Sequence, residues 1–133
     1  MDSHQFKKFL NSPKYVNSGE HIHGRIVWEL KEVLYWMTMD DAIHAVPDGY
    51  KWDGWSVSWF CRWIVRKVVC NPLDAILHDR GYEGNLIGWT RVEVDRLLPD
   101  VVAWAKHDRV DSIEAWIAVR ICGWYAWRKN RSK

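Results

Sequence analysis

Three helix-start signals in the second half of the chain set most of what it can fold into. Asn71-Pro72 puts an N-cap side chain ahead of a proline at the first helical position, where the missing N–H costs nothing. Thr90-Arg91-Val92-Glu93 has the spacing of a capping box, in which hydroxyl and carboxylate each satisfy a free backbone N–H. Asp111-Ser112 supplies a third cap, and Ile113, Trp116, Ile117, Ile121, Trp124 and Trp127 recur behind it at helical spacing. The basic end Arg128-Lys129-Asn130-Arg131-Ser132-Lys133 suits the dipole of that last helix. The first helix is expected from Pro72 to about Arg80, ending at Gly81 or Gly84. The second starts at Thr90 and should kink or break near Leu98, because Pro99 falls inside the pattern. Val57–Val69 reads as a basic amphipathic helix ahead of both.

The first half carries a different pattern. Arg25–Lys31 and Val33–Thr38 are rich in Val, Trp and Tyr and read as strands, although residues 28–37 are too continuously apolar to exclude helix. Asp40-Asp41 marks a turn and Ile43–Val46 a short third strand. Pro47-Asp48-Gly49-Tyr50 and Trp52-Asp53-Gly54-Trp55-Ser56 are two turn signals in one loop. The expected fold is α+β: a small N-terminal antiparallel sheet followed by a bundle of three or four helices. A chain of 133 residues suits a single domain, with residues 1–23 a loose N-terminal arm, 24–56 sheet and loop, and 57–133 helical.

Composition narrows the function classes. Apolar residues make up 48% of the chain, enough for a core, and eleven are tryptophans, which suit cores, interfaces and membrane surfaces alike. A net charge of +2 gives little support to nucleic-acid binding. Basic and aromatic residues do interleave at Trp59, Arg62, Trp63 and Arg66, a candidate interface for a partner or a membrane surface. Cys61, Cys70 and Cys122 form no metal spacing and, being odd in number, no disulfide framework, which points to a reducing compartment. With no signal-peptide pattern and no apolar run long enough to span a bilayer, the chain is expected to be soluble and cytoplasmic where it is made.

The chemistry concentrates in His78-Asp79-Arg80-Gly81-Tyr82 and Asp95. On a helix, His78 and Tyr82 share a face and Asp79 lies beside Tyr82. A carboxylate that accepts a hydrogen bond from one imidazole nitrogen fixes the tautomer and frees the other nitrogen to take a proton. Asp95, on the next helix, is the candidate orienter of His78, and Tyr82 its support. Arg91 and Asp95 form an i,i+4 pair. Asp79 is placed to bind a hard cation such as calcium together with loop oxygens near Asp53 and Gly54. A buried His–Asp–Tyr network holding two helices together explains the same residues without catalysis. His21 and His23 read as an exposed strand end, His44 as a strand residue and His107 as a helix-end residue.

Four ordered motifs carry a resemblance. Val46-Pro47-Asp48-Gly49-Tyr50-Lys51-Trp52-Asp53-Gly54-Trp55-Ser56, Ala75-Ile76-Leu77-His78-Asp79-Arg80-Gly81-Tyr82, Thr90-Arg91-Val92-Glu93-Val94-Asp95 and Ala118-Val119-Arg120-Ile121-Cys122-Gly123 resemble the successive signatures of a phage and prophage family known only as domain of unknown function 1353. The resemblance covers about residues 46–127. Ser58 stands where the family usually has Pro, and Val94 where a small Ala is usual. More distantly, the H-D-x-x-Y helix followed by an Asp is similar to the secretory and parvoviral phospholipases. That similarity implies His78 as general base, Asp79 as calcium ligand, Tyr82 as support and Asp95 as the partner of His78, with Asp53-Gly54 in place of their calcium loop. The chain lacks their Gly-rich loop spacing and the disulfides of the secretory forms. Two expectations follow. The first is a phage or prophage accessory or virion protein that acts by binding a host or virion partner. The alternative is a calcium-assisted, phospholipase-like ester hydrolase.

Overall fold

The computed structural model describes residues 4–22, 25–52, 72–106, 109–123 and 127–128. The chain divides into two compact units, Met1–Asp53 and Gly54–Lys133. The fold is α+β, with strands in the first unit and helices in the second.

The first unit holds β1 (Phe6–Phe9), β2 (Tyr15–Ile22), β3 (Arg25–Leu30), β4 (Leu34–Thr38), β5 (Ile43–Val46) and β6 (Lys51–Trp52). They form two three-stranded antiparallel sheets, ordered β1-β4-β5 and β2-β3-β6. The N-terminal segment is therefore not a loose arm, because two strands lie within it. Its polar sequence hides them. In β1 the buried Phe6 packs on Phe9 and Trp36, with ring centroids 5.2 and 6.3 Å away, while Lys7 and Lys8 face water. In β2 the register with β3 breaks between Asn17 and His21. Gly19 there takes φ +84°, a region open to glycine at little cost, and the Ser18 hydroxyl donates to the Val27 carbonyl at 2.7 Å.

β4 resolves the ambiguity between helix and strand. Leu34, Trp36 and Thr38 are buried while Tyr35 is exposed, the two-residue period of a sheet with one covered face. The expected turn lies at Asp40-Asp41, where Asp41 takes φ +66° and the Thr38 hydroxyl bonds the Asp40 carboxylate. Part of the expected loop is strand instead: Lys51-Trp52 pair with Glu29 and Trp28 as β6. The core of this unit gathers Phe6, Val27, Leu30, Leu34, Trp36, Val46 and Trp52.

The second unit contains a 3₁₀ turn (Pro72–Ala75) that leads directly into α1 (Ile76–Tyr82), then α2 (Arg91–Lys106) and α3 (Arg109–Cys122). α2 packs against both α1 and α3. α1 ends just past Gly81, and Gly84 takes φ +88° in the turn that follows. The capping box forms as expected: Thr90 N–H donates to Glu93 Oε1 at 2.8 Å, and Glu93 N–H to Thr90 Oγ1 at 3.3 Å. Two expectations are corrected. Pro99 does not end its helix, since α2 continues through it to Lys106. Asp111-Ser112 is not the start of the last helix, which begins at Arg109. Ser112 instead sends its hydroxyl across to the Pro99 carbonyl at 2.9 Å, tying α3 to α2 at the proline turn. Leu97, Leu98, Val101 and Val102 of α2 and Ala115, Ala118 and Val119 of α3 are buried in the core of this unit.

Candidate functional site

Leu77, Ile76 and Ala75 draw α1 into the core, and the residues that follow them on the helix are carried inward too. His78 is 3% exposed, Asp79 4% and Tyr82 0%. α1 can approach α2 this closely because Gly81 has no side chain: a β-carbon there would collide with both methyls of Val94. Val94, in turn, sits one residue before the fully buried Asp95.

Asp95 is the centre of the site. His78 Nε2 lies 3.1 Å from its Oδ1, and the Tyr82 hydroxyl donates to the same oxygen at 2.5 Å. The other oxygen, Oδ2, meets Arg120 Nη1 at 2.8 Å and Arg91 Nε at 3.3 Å. Three hydrogen bonds and the charge of a second guanidinium, drawn from three helices, thus converge on one buried carboxylate. A carboxylate only accepts, so Nε2 carries a hydrogen toward Asp95 and Nδ1 is the nitrogen turned away from it. The His78 and Tyr82 rings are in contact, with centroids 4.4 Å apart, and Trp127 closes on Tyr82 edge-on at 5.3 Å. Burial, with the Asp95 charge as a lesser cause, drives the Tyr82 phenol far above its ordinary range, so it stays a hydrogen-bond donor.

Arg91 does a second job. Its Nη2 donates to the Val119 and Arg120 carbonyls at 3.1 and 2.7 Å, at the C-terminal end of α3, where helix carbonyls lack intrahelical partners. Its Nε also reaches the Tyr82 hydroxyl at 3.3 Å. Gly123, just past α3, lets the end of that helix close over Tyr82, because a β-carbon there would collide with the phenolic oxygen.

The structure therefore brings together His78, Tyr82 and Asp95, the three residues read as a catalytic set. It places Asp79 beside them on α1. Asp53, Gly54, Trp59, Arg62, Trp63 and Arg66 lie outside the described residues, as do His23, His107 and the expected basic helix. Among the described residues no group of three or more His, Cys, Asp and Glu side chains could hold a metal ion. Sequence reasoning missed Arg120 and Gly123 as members of the site. The signal was present in the closing A-V-R-x-x-G string, whose arginine bonds Asp95 and whose glycine lies against Tyr82.

A family profile, Protein of unknown function (DUF1353), matches residues 28–119, and the chain belongs to that family. No curated protein and no solved structure matches it. No described helix is long and apolar enough to cross a membrane.

Proposed function

We propose that this DUF1353 protein is an ester hydrolase in which His78 activates water. The observation that carries the reading is the Asp95–His78 pair, 3.1 Å apart and nearly dry, with the imidazole oriented so that Nδ1 faces away from the carboxylate. An imidazole held in this way accepts a proton from water as water attacks a carbonyl, and the adjacent carboxylate stabilises the imidazolium that forms. Tyr82, fixed as a donor, keeps Asp95 in register with the ring. Arg91 and Arg120 compensate the carboxylate charge in a site where an unpaired charge would be costly.

Calcium, if bound, would polarise the ester carbonyl and stabilise the developing oxyanion. The distant similarity to phospholipases gives the role of holding it to Asp79. Among the described residues the side chains do not make a cation cage by themselves. The distant similarity to phospholipases nominates lipid esters as the substrate class.

The test is hydrolysis of short-chain carboxylic esters and of phospholipid vesicles, with and without millimolar calcium. His78→Gln should lose about 10²–10⁴-fold in rate while keeping its circular dichroism. Equal activity in His78→Gln, or no hydrolysis of either class, overturns the reading.

A second reading, binding to a host or virion partner, is supported by a separate observation. Ile113, Ile117 and Ile121 repeat every four residues on one face of α3 and are all exposed. In that reading the Asp95 network is structural. Ile117→Asp should then abolish copurification with phage particles or a host protein while leaving the fold intact.

A further inference from the structure

We propose that a second copy of this chain pairs with β5 edge to edge, so that two β1-β4-β5 sheets join through antiparallel β5 strands into one continuous sheet. The pairing is separate from the His78 site and does not depend on the ester-hydrolase reading. β5 is an edge of its sheet and, among the described edges, the one without protection. β1, at the other edge, carries Lys7 and Lys8 and a bulge between Phe6 and Lys8. In the second sheet β2 loses register between Asn17 and His21, and β6 is only Lys51-Trp52. Charges, bulges and very short strands are the usual means of keeping an edge from pairing with another chain. Ile43-His44-Ala45-Val46 has no lysine, acid, proline or register break.

The backbone of β5 selects the occupant. Thr38 N–H donates to the Ala42 carbonyl at 3.0 Å, and the β4–β5 register alternates from that pair. Ala42, His44 and Val46 therefore aim their backbone polar groups at β4, and Ile43 and Ala45 aim theirs away from it. Tyr35, opposite Ala45, fits this alternation: on the β1 side its N–H donates to Asn11 Oδ1 and its carbonyl accepts from Leu10 N–H, both at 2.8 Å. Among the described residues no hydrogen bond engages the outward backbone groups of Ile43 or Ala45. Ile43 is 62% exposed, and Ala45 is exposed as well. Such a strand complements its own reverse. Antiparallel pairing about a twofold at His44 sets Ile43 opposite the partner's Ala45, and Ala45 opposite the partner's Ile43. Each pair exchanges both N–H···O=C bonds, so every outward group of the two strands is satisfied. Ile43 and Ala45 share the outer face of the sheet with Met37 and the exposed Tyr35, their neighbours on β4. The join thus also sets two apolar outer faces side by side, where cross-strand apolar pairs add to the backbone bonds. This match of the strand to itself favours a second copy over an unrelated strand.

The joined edges are smaller than a standard protein interface, so the dimer should form at high concentration, on the order of 100 µM. Sedimentation of the full chain across that range should show the mass rise from 15.8 kDa toward twice that value. Hydrogen exchange should slow at the Ile43 and Ala45 amides as the dimer forms and stay unchanged at His44, whose N–H already faces β4. Ala45→Pro deletes a donor that β4 does not use. Two hydrogen bonds are then lost across the twofold, and the dissociation constant should rise at least about ten-fold. Ile43→Lys puts a charge at the join and should weaken the dimer likewise, which keeps the test in place if Ala45→Pro fails to fold. A mass of 15.8 kDa throughout, which would leave the edge to a strand of another protein, overturns the proposal. So does a dimer that a folded Ala45→Pro or Ile43→Lys variant retains unchanged, or one that forms without slowing exchange at Ile43 and Ala45.

Discussion

Gly123 and Tyr82 share a contact with no room for a β-carbon: a methyl built on Gly123 would collide with the Tyr82 phenolic oxygen and press on the Val119 carbonyl. That phenolic oxygen is the one bonded to Asp95 at 2.5 Å. The end of α3 and the orientation of the acidic centre are thus coupled through one glycine. Gly123→Ala should destabilise the protein by about 1–3 kcal/mol, the usual cost of overpacking a filled core. Chemical unfolding measures it. A change below about 0.5 kcal/mol would show that α3 ends loosely and does not press on Tyr82.

Gly81 and Val94 make a second such contact, between α1 and α2. A β-carbon on Gly81 would meet both Val94 methyls, and valine is stiff about χ1, so the clash is not relieved by a rotamer change. Gly81→Ala should cost about 1–3 kcal/mol. Val94→Ala makes the missing space, so the double variant should be more stable than the sum of the single losses by about 0.5–3 kcal/mol. Simple additivity would mean that the helices separate to accommodate the methyl.

Much of this was legible in the sequence because it is local. The capping box at Thr90 and Glu93, the i,i+4 relation of Arg91 and Asp95, and the shared face of His78 and Tyr82 follow from helix geometry over a few residues. The proposal that Asp95 orients His78 needed one further assumption, that the two helices pack, and the apolar residues Ala75, Ile76 and Leu77 supplied it. What could not be read depends on long-range approach. Arg120 lies 25 residues from Asp95 and reaches it only because α3 packs on α2. β1 and β2 were missed because their exposed polar residues mask the strands. The isoleucine row of α3 reads as a core stripe by spacing, yet Ala115, Ala118 and Val119 take the buried face. Pro99 lies within a continuous helix whose packing and Ser112 hydrogen bond outweigh the local penalty.

His44 should make the first unit sensitive to mild acid. Its ring stacks on Trp36 with centroids 4.6 Å apart, and burial pulls its proton affinity below the ordinary value of 6.5, with the Asp40 charge opposing and His4 assisting. Below about pH 6.5 the unfolded chain therefore binds this proton more readily than the folded one. Stability is present above that value and falls as pH drops through it, levelling off below the folded value. Thermal unfolding between about pH 7.5 and about 5.5 should show a larger loss in the wild type than in His44→Phe, which keeps the stacking and removes the titration. Identical slopes in the two proteins would exclude His44 as the source.

Asp95 decides between the two roles of the network. Asp95→Ala leaves two guanidinium groups and the Tyr82 hydroxyl facing a gap, and should cost about 3–5 kcal/mol, the loss expected when one side of a buried ion pair is removed. Tyr82→Phe removes one of three hydrogen bonds and leaves the carboxylate held by His78 and the two guanidinium groups, so about 0.5–1.5 kcal/mol is expected. These stability losses follow from the packing whatever the protein does. The pair of variants gains functional meaning when read against His78→Gln. The imidazole gives Asp95 one hydrogen bond, which a glutamine amide can partly replace, so His78→Gln should cost less stability than Asp95→Ala. A His78→Gln protein as stable as Tyr82→Phe yet inactive on esters assigns the imidazole to chemistry. One that unfolds as readily as Asp95→Ala would assign it to holding α1 and α2 together, and the exposed isoleucines of α3 would then be the surface to pursue.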